Sequence, residues 1–430
     1  MEMTDQASQF AFSARAGRAT RQPISYLMSQ AVTNPDLISL AAGLVDYQTL
    51  PGAEARDLLN EMLADPARAR TALQYGTTEG LAELRTELLA HLAGLDGLTP
   101  ADLNASPDDI IVASGSQQIL FMLTDILVDP GDIVITAWPS YFVYTGTLAA
   151  AGARVRCVDM DSGGMIPGAL EALLGQLADQ GLLPRVKIVY LVSYHQNPTG
   201  ITLAADRRQP ILRILREHSR DHRILLIEDA AYRELTFEGD PPRSIKSYDR
   251  ANQYVALLQT FSKPFSPGLK TGYGLLPRDL VEAVILQKGN HDFGSANFCQ
   301  HLLLAAMRTG VYQRHLDELR RQYAAKRHAM LEALAEHLGD FARGQTHWTR
   351  PSGGLYVYLT LPEDMDTGRE GPLFARAIEE GMMYVPGEYC YGPDPSRTVP
   401  RNTMRLSFGV ASVDQIRQGI ERLARAIRKQ

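Results

Sequence analysis

The stretch YVALLQTFSKPFSPGLKTGYG, residues 254–274, joins two apolar strand-like runs through a loop that carries a lysine. Residues 254–258 form the first run and residues 272–276 the second. Between them, Lys263 stands among small polar residues and is followed by prolines and a glycine that break the backbone pattern. A lysine on a rigid loop at a strand end suits Schiff-base chemistry, since a desolvated amine becomes nucleophilic near neutral pH. A solvated loop lysine is the alternative, and the Ser-Lys pair alone does not distinguish the two.

The composition is that of an ordinary globular protein of 430 residues, long enough for two domains. Hydrophobic residues make up 45% and charged residues 21%, with a net charge of −6 in which both signs are intermixed. This balance indicates neither a nucleic-acid nor a membrane partner. The three cysteines are far apart, so we expect neither a disulfide framework nor a metal site. Because no signal peptide or membrane-spanning run is apparent, we expect a cytoplasmic enzyme or binding protein.

Apolar runs alternate with helical patterns through most of the chain. The runs contain valine, isoleucine and leucine without polar alternation, which is typical of strands buried on both faces of a mainly parallel sheet. They lie at residues 110–113, 133–136, 154–158, 186–192, 224–227, 254–258 and 272–276. Helical segments between them include residues 118–127, 167–180 and 210–219. The sequence therefore predicts an α/β fold with a seven-stranded sheet flanked by helices, whose ligands gather at the carboxyl ends of the strands.

The two ends of the chain differ from this alternating middle. Residues 1–20 are small and polar and are expected to be irregular, and residues 23–32 predict a short helix. After residue 277 the strand pattern weakens, and residues 305–338 predict one long amphipathic helix. Further strands are predicted at 355–361, 384–387 and 403–408, with helices at 371–380 and at the C-terminus. We predict an N-terminal segment at 1–52, a large domain at 53–304 and a small α+β domain at 305–430.

Two of the predicted strands are followed by groups that can hold a flat, anionic ligand. SGSQQ (114–118) opens a helix, whose backbone N–H groups with Ser116 and Gln117 can form a phosphate cradle or a simple helix cap. In AWPSYF (137–142), Tyr141 or Trp138 can stack on a ring, although aromatic residues at such places often belong to the core.

Two other strands end in an amide and a carboxylate. In SYHQNPTG (193–200), Asn197 precedes a proline, which favours an extended or turn conformation that can direct its amide into a cleft; a plain Asn-Pro turn is the alternative. In EDAAY (228–232), Asp229 would be buried at a strand end, which is costly without a positive partner. A protonated pyridine nitrogen of a ligand is such a partner, and a helix cap is the alternative. Tyr232 can place its hydroxyl in the same cleft.

In this order along the chain, these stretches resemble the fold-type I, class I/II aminotransferases that use pyridoxal 5′-phosphate (PLP), and most closely the branch of 2-aminoadipate and kynurenine aminotransferases. The resemblance is carried by YGTTEGLAELR (75–85), SGSQQ (114–118), PSYF (139–142), HQNPTG (195–200), EDAAY (228–232), TFSKPFSPGLKTGYG (260–274), PSGG (351–354), VPG (385–387) and MRLSFG (404–409). It implies the PLP-transferase fold type I. It also implies transfer of the amino group of an L-amino acid to a 2-oxo acid through pyridoxamine phosphate. Elimination, decarboxylation or oxidation of an amino acid on the same fold is the alternative.

The resemblance also implies roles for individual residues. Lys263 matches the lysine that binds the cofactor covalently and later moves the substrate Cα proton, and Asp229 matches the carboxylate that keeps the pyridine nitrogen protonated. Arg405 matches the arginine that grips the substrate carboxylate. The other matches are Tyr232 beside the phenolic oxygen, Asn197 at that oxygen and the substrate carboxylate, Tyr141 on the ring, Gly43 beside the substrate carboxylate, and Ser116, Gln117, Thr260, Ser262 and Lys270 around the phosphate. Tyr75 corresponds to a tyrosine that reaches the phosphate of the neighbouring subunit, which implies a homodimer with shared sites.

The chain departs from the family pattern at three places. Lys270 stands where many relatives have arginine, which keeps the charge but loses the forked geometry. Residues 44–46 are Leu-Val-Asp, where close relatives usually have glycine-leucine-proline, and residues 193–194 are Ser-Tyr instead of a proline-containing approach. The amino acid and the 2-oxo acid are therefore left open.

Some transcription regulators fuse a similar domain to a DNA-binding module, but no basic recognition helix is apparent here.

Overall fold

The computed structural model describes residues 10–19, 30, 33–34 and 36–429. The strands are β1 Ile38–Ser39, β2 Ile110–Ala113, β3 Ile133–Trp138, β4 Arg154–Asp161, β5 Gly164–Met165, β6 Val186–Val192, β7 Leu225–Asp229, β8 Val255–Thr260, β9 Gly272–Leu275, β10 His347–Trp348, β11 Tyr356–Thr360, β12 Met382–Met383, β13 Val385–Pro386 and β14 Thr403–Ser407. The helices are α1 Ala14–Arg18, α2 Gly52–Ala64, α3 Pro66–Leu73, α4 Ala82–Leu95, α5 Ser116–Leu127, α6 Phe142–Ala151, α7 Pro167–Asp179, α8 Ala205–His218, α9 Arg278–His291, α10 Asn297–Arg308, α11 Val311–Leu338, α12 Pro372–Glu379 and α13 Val413–Arg428.

The large sheet has the strand order β2-β9-β8-β7-β6-β3-β4-β5 and contains all seven predicted strands. The pairs from β8 through β7, β6 and β3 to β4 are parallel, whereas β9 runs antiparallel to both β2 and β8. The eighth strand, β5, was not predicted, because it consists of only two residues in a hairpin with β4. The central strands are buried on both faces, as their unbroken apolar runs indicate.

Two segments differ from the expected helical pattern. The predicted helix over residues 305–338 is two helices, α10 and α11, because Gly310 adopts a left-handed conformation with φ of 72° between them. Residues Ala14–Arg18 form a short helix within a segment that we expected to be irregular. The helix predicted at residues 23–32 lies almost entirely outside the described residues.

A second, antiparallel sheet has the order β10-β11-β14-β13 and carries Arg405 in its strand β14. The N-terminal segment attaches to this part of the chain. Strand β1 pairs in parallel with β12, and the backbone N–H of Ser407 donates to the Leu40 carbonyl at 2.7 Å. The segment around Gly43 is therefore held beside the strand that bears Arg405. The division at residues 52 and 304 stays a prediction.

Two clusters of buried apolar side chains pack the large sheet against its helices, and the larger cluster continues into the smaller part. Within the described part of the chain, we find no helix that combines the length and apolarity needed to cross a bilayer.

Candidate active site

The carboxyl ends of the central strands border a cleft with an open volume of about 200 Å³. Most of the predicted site residues line this cleft: Ser116, Gln117, Tyr141, Asn197, Asp229, Tyr232, Thr260, Ser262, Lys263 and Lys270. Gly43 and Arg405 are hydrogen-bonded to two of these residues. Tyr75 and Trp138 are not part of the lining.

Lys263 stands directly beyond the end of β8, where its side chain is half-buried. Its Nζ donates a hydrogen bond to the carbonyl oxygen of Gly43 at 2.8 Å. Burial is the main cause that lowers the pKa of this amine; Tyr356 opposes it in part, and the positive charges of Arg405 and Lys270 lower the pKa further. A lowered pKa leaves a larger share of the amine uncharged near neutral pH, which is what a nucleophilic lysine requires.

Asp229 is the last residue of β7 and is 4% exposed. One carboxylate oxygen accepts from the Tyr190 hydroxyl at 3.0 Å, and the other accepts from the Ala231 backbone N–H at 3.1 Å. Burial raises the pKa of Asp229 to about 6. No basic side chain of residues 36–429 forms an ion pair with it, so the cleft contains a buried carboxylate that needs a cationic partner.

Another group of lining residues suits an anion. Helix α5 begins at Ser116 after Gly115, whose φ of 78° requires glycine, and Gly115, Ser116 and Gln117 line the cleft, so this helix start can supply N–H donors to it. Thr260 donates to the Ser262 hydroxyl at 3.0 Å, which brings two hydroxyl groups together there. Lys270 lines the same cleft and supplies a positive charge. Phosphate is the group that such a set of donors favours.

Arg405 is 1% exposed at the centre of β14. Its Nη1 donates to the side-chain oxygen of Asn197 at 2.8 Å, and its Nη2 donates to the Ala41 carbonyl at 2.7 Å. Its Nε is buried and has no hydrogen-bond partner in the described part of the chain. The guanidinium is therefore held in place while it retains donors for a further acceptor such as a carboxylate.

A pair of tyrosines lies close to the arginine. The hydroxyl oxygens of Tyr232 and Tyr356 are 3.1 Å apart, and burial raises the pKa of Tyr232 well above its ordinary value. Tyr356 was not singled out from the sequence, because its strand reads as an ordinary alternating strand of the small domain. Tyr190, the partner of Asp229, was missed because it stands within the unbroken apolar run of β6, which reads as core.

Two aromatic residues considered at the sequence level lie elsewhere. Tyr75 is 84% exposed and packs edge-on against Phe293, with ring centres 5.9 Å apart. Trp138 packs against Tyr391, with ring centres 4.6 Å apart, and does not line the cleft. Of the two stacking candidates, only Tyr141 lines it.

The chain is similar in sequence and in structure to known aminotransferases. A family model described as aminotransferase class I and II matches residues 35–423. The aromatic-amino-acid aminotransferase 1 of Thermococcus litoralis is 33% identical over 93% of this chain and 90% of its own length. The 2-aminoadipate transaminase of Thermus thermophilus is 30% identical over 97% of this chain and 96% of its own. A crystal structure of Pyrococcus horikoshii kynurenine aminotransferase, in complex with PMP, superimposes with a TM-score of 0.87 at 34% identity and covers 97% of each chain.

Proposed function

The chain belongs to the class I and II aminotransferase family, and from this premise we propose that the cleft around Lys263 is where it transfers an amino group from an L-amino acid to a 2-oxo acid. PLP is the cofactor of this chain, and the cleft fits it. The unpaired carboxylate of Asp229 suits the ring nitrogen, and the donors at the start of α5 suit the phosphate. When bound, PLP supplies an aldehyde that condenses with amines and a ring that accepts the electron pair released at the substrate Cα.

We assign the proton transfer to Lys263. Its desolvated amine would hold the cofactor covalently, and Nζ, when it is not so bound, would take the substrate Cα proton. In the cofactor-free protein, the hydrogen bond from Nζ to the Gly43 carbonyl oxygen, at 2.8 Å, orients the Lys263 side chain. Asp229 would hold the ring nitrogen, since a nearby carboxylate favours the protonated, positively charged form of that nitrogen.

Arg405 holds the substrate α-carboxylate in this proposal. Two of its nitrogens are anchored to Asn197 and Ala41, so the fork is fixed before the substrate arrives. A fixed fork aligns the Cα–H bond with Lys263, and such alignment is one of the larger contributions to catalysis. The observation that carries the proposal is this combination of a desolvated lysine, an unpaired buried carboxylate and an anchored arginine around one cleft.

A spectral half-reaction tests the proposal. The holoenzyme is mixed with single L-amino acids, including aromatic amino acids, 2-aminoadipate and kynurenine, and the visible absorbance of the bound cofactor is followed. We expect an active amino acid to convert the cofactor to its amine form and 2-oxoglutarate to restore the original spectrum. Suppose that ammonia, carbon dioxide or hydrogen peroxide is released and 2-oxoglutarate does not restore the original spectrum. This result would indicate another PLP-dependent reaction.

Two lysine variants provide the matched comparison. We expect Lys263→Ala to lower kcat by at least about 10²-fold, because the proton transfer loses its base. Lys429→Ala, at the end of the last helix with a side chain that is 64% exposed, should keep the activity of the unmodified enzyme. Equal activity of both variants would contradict the role of Lys263.

We further propose a cytoplasmic homodimer with shared sites. Exposed aromatic side chains at Tyr75 and Phe293 support a covered face in the dimer, since large exposed apolar groups often mark an interface. The cysteines Cys157, Cys299 and Cys390 are free, as is usual in a reducing compartment. Sedimentation velocity should give twice the chain mass of 47.4 kDa. A fully active monomer would contradict the shared site.

A further inference from the structure

Tyr356 occupies a central place among the residues assigned above. It is 1% exposed in β11, next to the strand that bears Arg405. Its hydroxyl oxygen lies 3.1 Å from that of Tyr232, and its ring centre lies 4.4 Å from the guanidinium carbon of Arg405. A Cβ atom at Gly43 would come within 2.8 Å of the Tyr356 hydroxyl, so the tyrosine also limits what residue 43 can be. Tyr356 thus lies against Tyr232, Arg405 and Gly43. Each of these three residues has a role in the proposed function, whereas Tyr356 has none so far.

The group bound in the cleft decides which of the two tyrosines donates the hydrogen bond between them. Each hydroxyl group carries one hydrogen, so only one of the two can donate to the other. Tyr232 lines the cleft, whereas Tyr356 is not among its lining residues. If Tyr356 donates to Tyr232, the hydrogen of Tyr232 is left for an acceptor in the cleft. In the reverse direction, Tyr232 would present a lone pair to the cofactor's phenolic oxygen, which is itself an acceptor.

We propose that Tyr356 is a positioning residue with two separable actions: its hydroxyl directs the hydrogen of Tyr232 into the cleft, and its ring holds the guanidinium of Arg405. The inference rests on the proposed function, because it takes Tyr232 to face the phenolic oxygen of PLP. The first action depends on the oxygen atom of Tyr356. The second depends on its aromatic face, which attracts a cation placed over it.

The first action is tested with Tyr356→Phe, which removes only the hydroxyl group. The readout is the pH titration of the visible absorbance of the bound cofactor, which is independent of turnover. A donor to the phenolic oxygen favours its anionic form, so weakening that donor raises the titration pKa. We expect a measurable rise of up to about 0.5 unit, smaller than the shift from losing a whole hydrogen bond because Tyr232 keeps its own hydroxyl group.

A matched control lies two residues further along the same strand. The Tyr358 hydroxyl oxygen lies 3.0 Å from that of Thr403 and 3.3 Å from that of Tyr391, and Tyr358 does not line the cleft. Tyr358→Phe should leave the titration unchanged. In a Tyr232→Phe background, Tyr356→Phe should cause no further shift, because its effect passes through Tyr232. An unchanged titration in the single Tyr356→Phe variant would overturn the first action.

The second action is tested by removing the ring with Tyr356→Leu. The probe is acetate, a carboxylate small enough to reach Arg405 whatever side chain the substrate pocket accepts, and its Kd is obtained from the absorbance change. We expect a Kd about 3- to 10-fold higher for Tyr356→Leu and one within about 2-fold of the unmodified enzyme for Tyr356→Phe. Equal affinities in all three proteins would overturn the second action. If Tyr356→Leu does not fold, Tyr356→Met provides the same comparison.

Failure of the inference differs from failure of the proposed function. If Tyr232→Phe itself leaves the titration unchanged, the role of Tyr232 in the proposed function is wrong. If Tyr232→Phe raises the titration pKa but Tyr356→Phe does not, only the action assigned to the Tyr356 hydroxyl is wrong.

Discussion

Replacing Lys326 by methionine should destabilise the protein and loosen its substrate carboxylate site. Lys326 lies on α11, and its Nζ donates to Asp46 at 2.6 Å and to the Gly409 carbonyl at 3.3 Å. Asp46 ends the segment that carries Ala41 and Gly43, and residue 409 follows the strand of Arg405. A single buried ammonium group therefore ties together both sides of the carboxylate site.

The size of the effect follows from burial. Lys326 is 5% exposed and Asp46 is 9% exposed, so Lys326→Met leaves a carboxylate that is largely buried and lacks its cation. Breaking a buried pair in this way costs about 3–5 kcal/mol of unfolding free energy. We expect a value near about 3 kcal/mol, at the low end of that range, because Asp46 still accepts from the Gln48 backbone N–H at 3.0 Å. In Asp46→Leu/Lys326→Met both charges are absent, and most of the loss should be recovered.

The assay is a double-mutant cycle from urea unfolding at pH 7, combined with KM for the amino acid substrate. The exposed pair Arg213–Glu217, with an N–O distance of 2.7 Å, is the control and should give a coupling of about 0.3–0.5 kcal/mol. We expect the Asp46–Lys326 coupling to exceed about 1.5 kcal/mol and Lys326→Met to raise KM. A coupling no larger than that of the control, or an unchanged KM, would refute the reasoning.

Three further predictions concern charge. In the cofactor-free protein, the pKa of Asp229 is raised to about 6, so the native state binds more protons than the unfolded state between about pH 4 and 6. The stability of the unmodified protein relative to Asp229→Asn should therefore fall by roughly 3 kcal/mol as the pH rises through that window in thermal unfolding, and a flat difference would contradict the burial argument. Burial opposes the charge of His91, but Glu234, 2.9 Å from its Nε2, raises its pKa above 6.5 overall. The resulting stabilisation is complete below that value and is lost as the pH rises through the raised pKa, so His91→Gln should cost more stability at pH 6 than at pH 9. Arg405→Lys keeps the charge but loses the fork, and steady-state kinetics should show KM raised by about 10- to 100-fold; an unchanged KM would remove Arg405 from carboxylate binding.

The large sheet was predictable because each of its main strands is a buried apolar run that is visible locally. The pairing of β1 with β12 was not, because two-residue strands leave no periodic signal and their partners lie at opposite ends of the chain. The direction of β9 was also missed. The short connection at residues 261–271 allows an antiparallel neighbour, whereas a parallel neighbour needs a crossover of a dozen or more residues.

Most of the site residues that could be proposed from the sequence stand at or just beyond the ends of strands, which is where a parallel sheet places ligands. Arg405, at the centre of β14, came from the family resemblance. Neighbouring residues within strands could not be proposed in the same way. Tyr190 and Tyr356 have the composition of core residues, and only the three-dimensional structure reveals that their hydroxyls reach Asp229 and Tyr232. The exposure of Tyr75 is consistent with its predicted role in a neighbouring subunit, and that role stays a prediction.

The contact between Arg405 and Ala41 has a consequence for biosynthesis. The two residues are 364 positions apart, so the partner that completes the early segment is among the last to be translated. At roughly 5–20 residues per second, the nascent chain carries that segment for about 20 to 70 s before Arg405 exists. For most of this interval the apolar residues of the large sheet can fold, while strand β1 lacks its partner β12, which is residues Met382–Met383. Polypeptides truncated before β12 should therefore expose this segment to proteases and to chaperones.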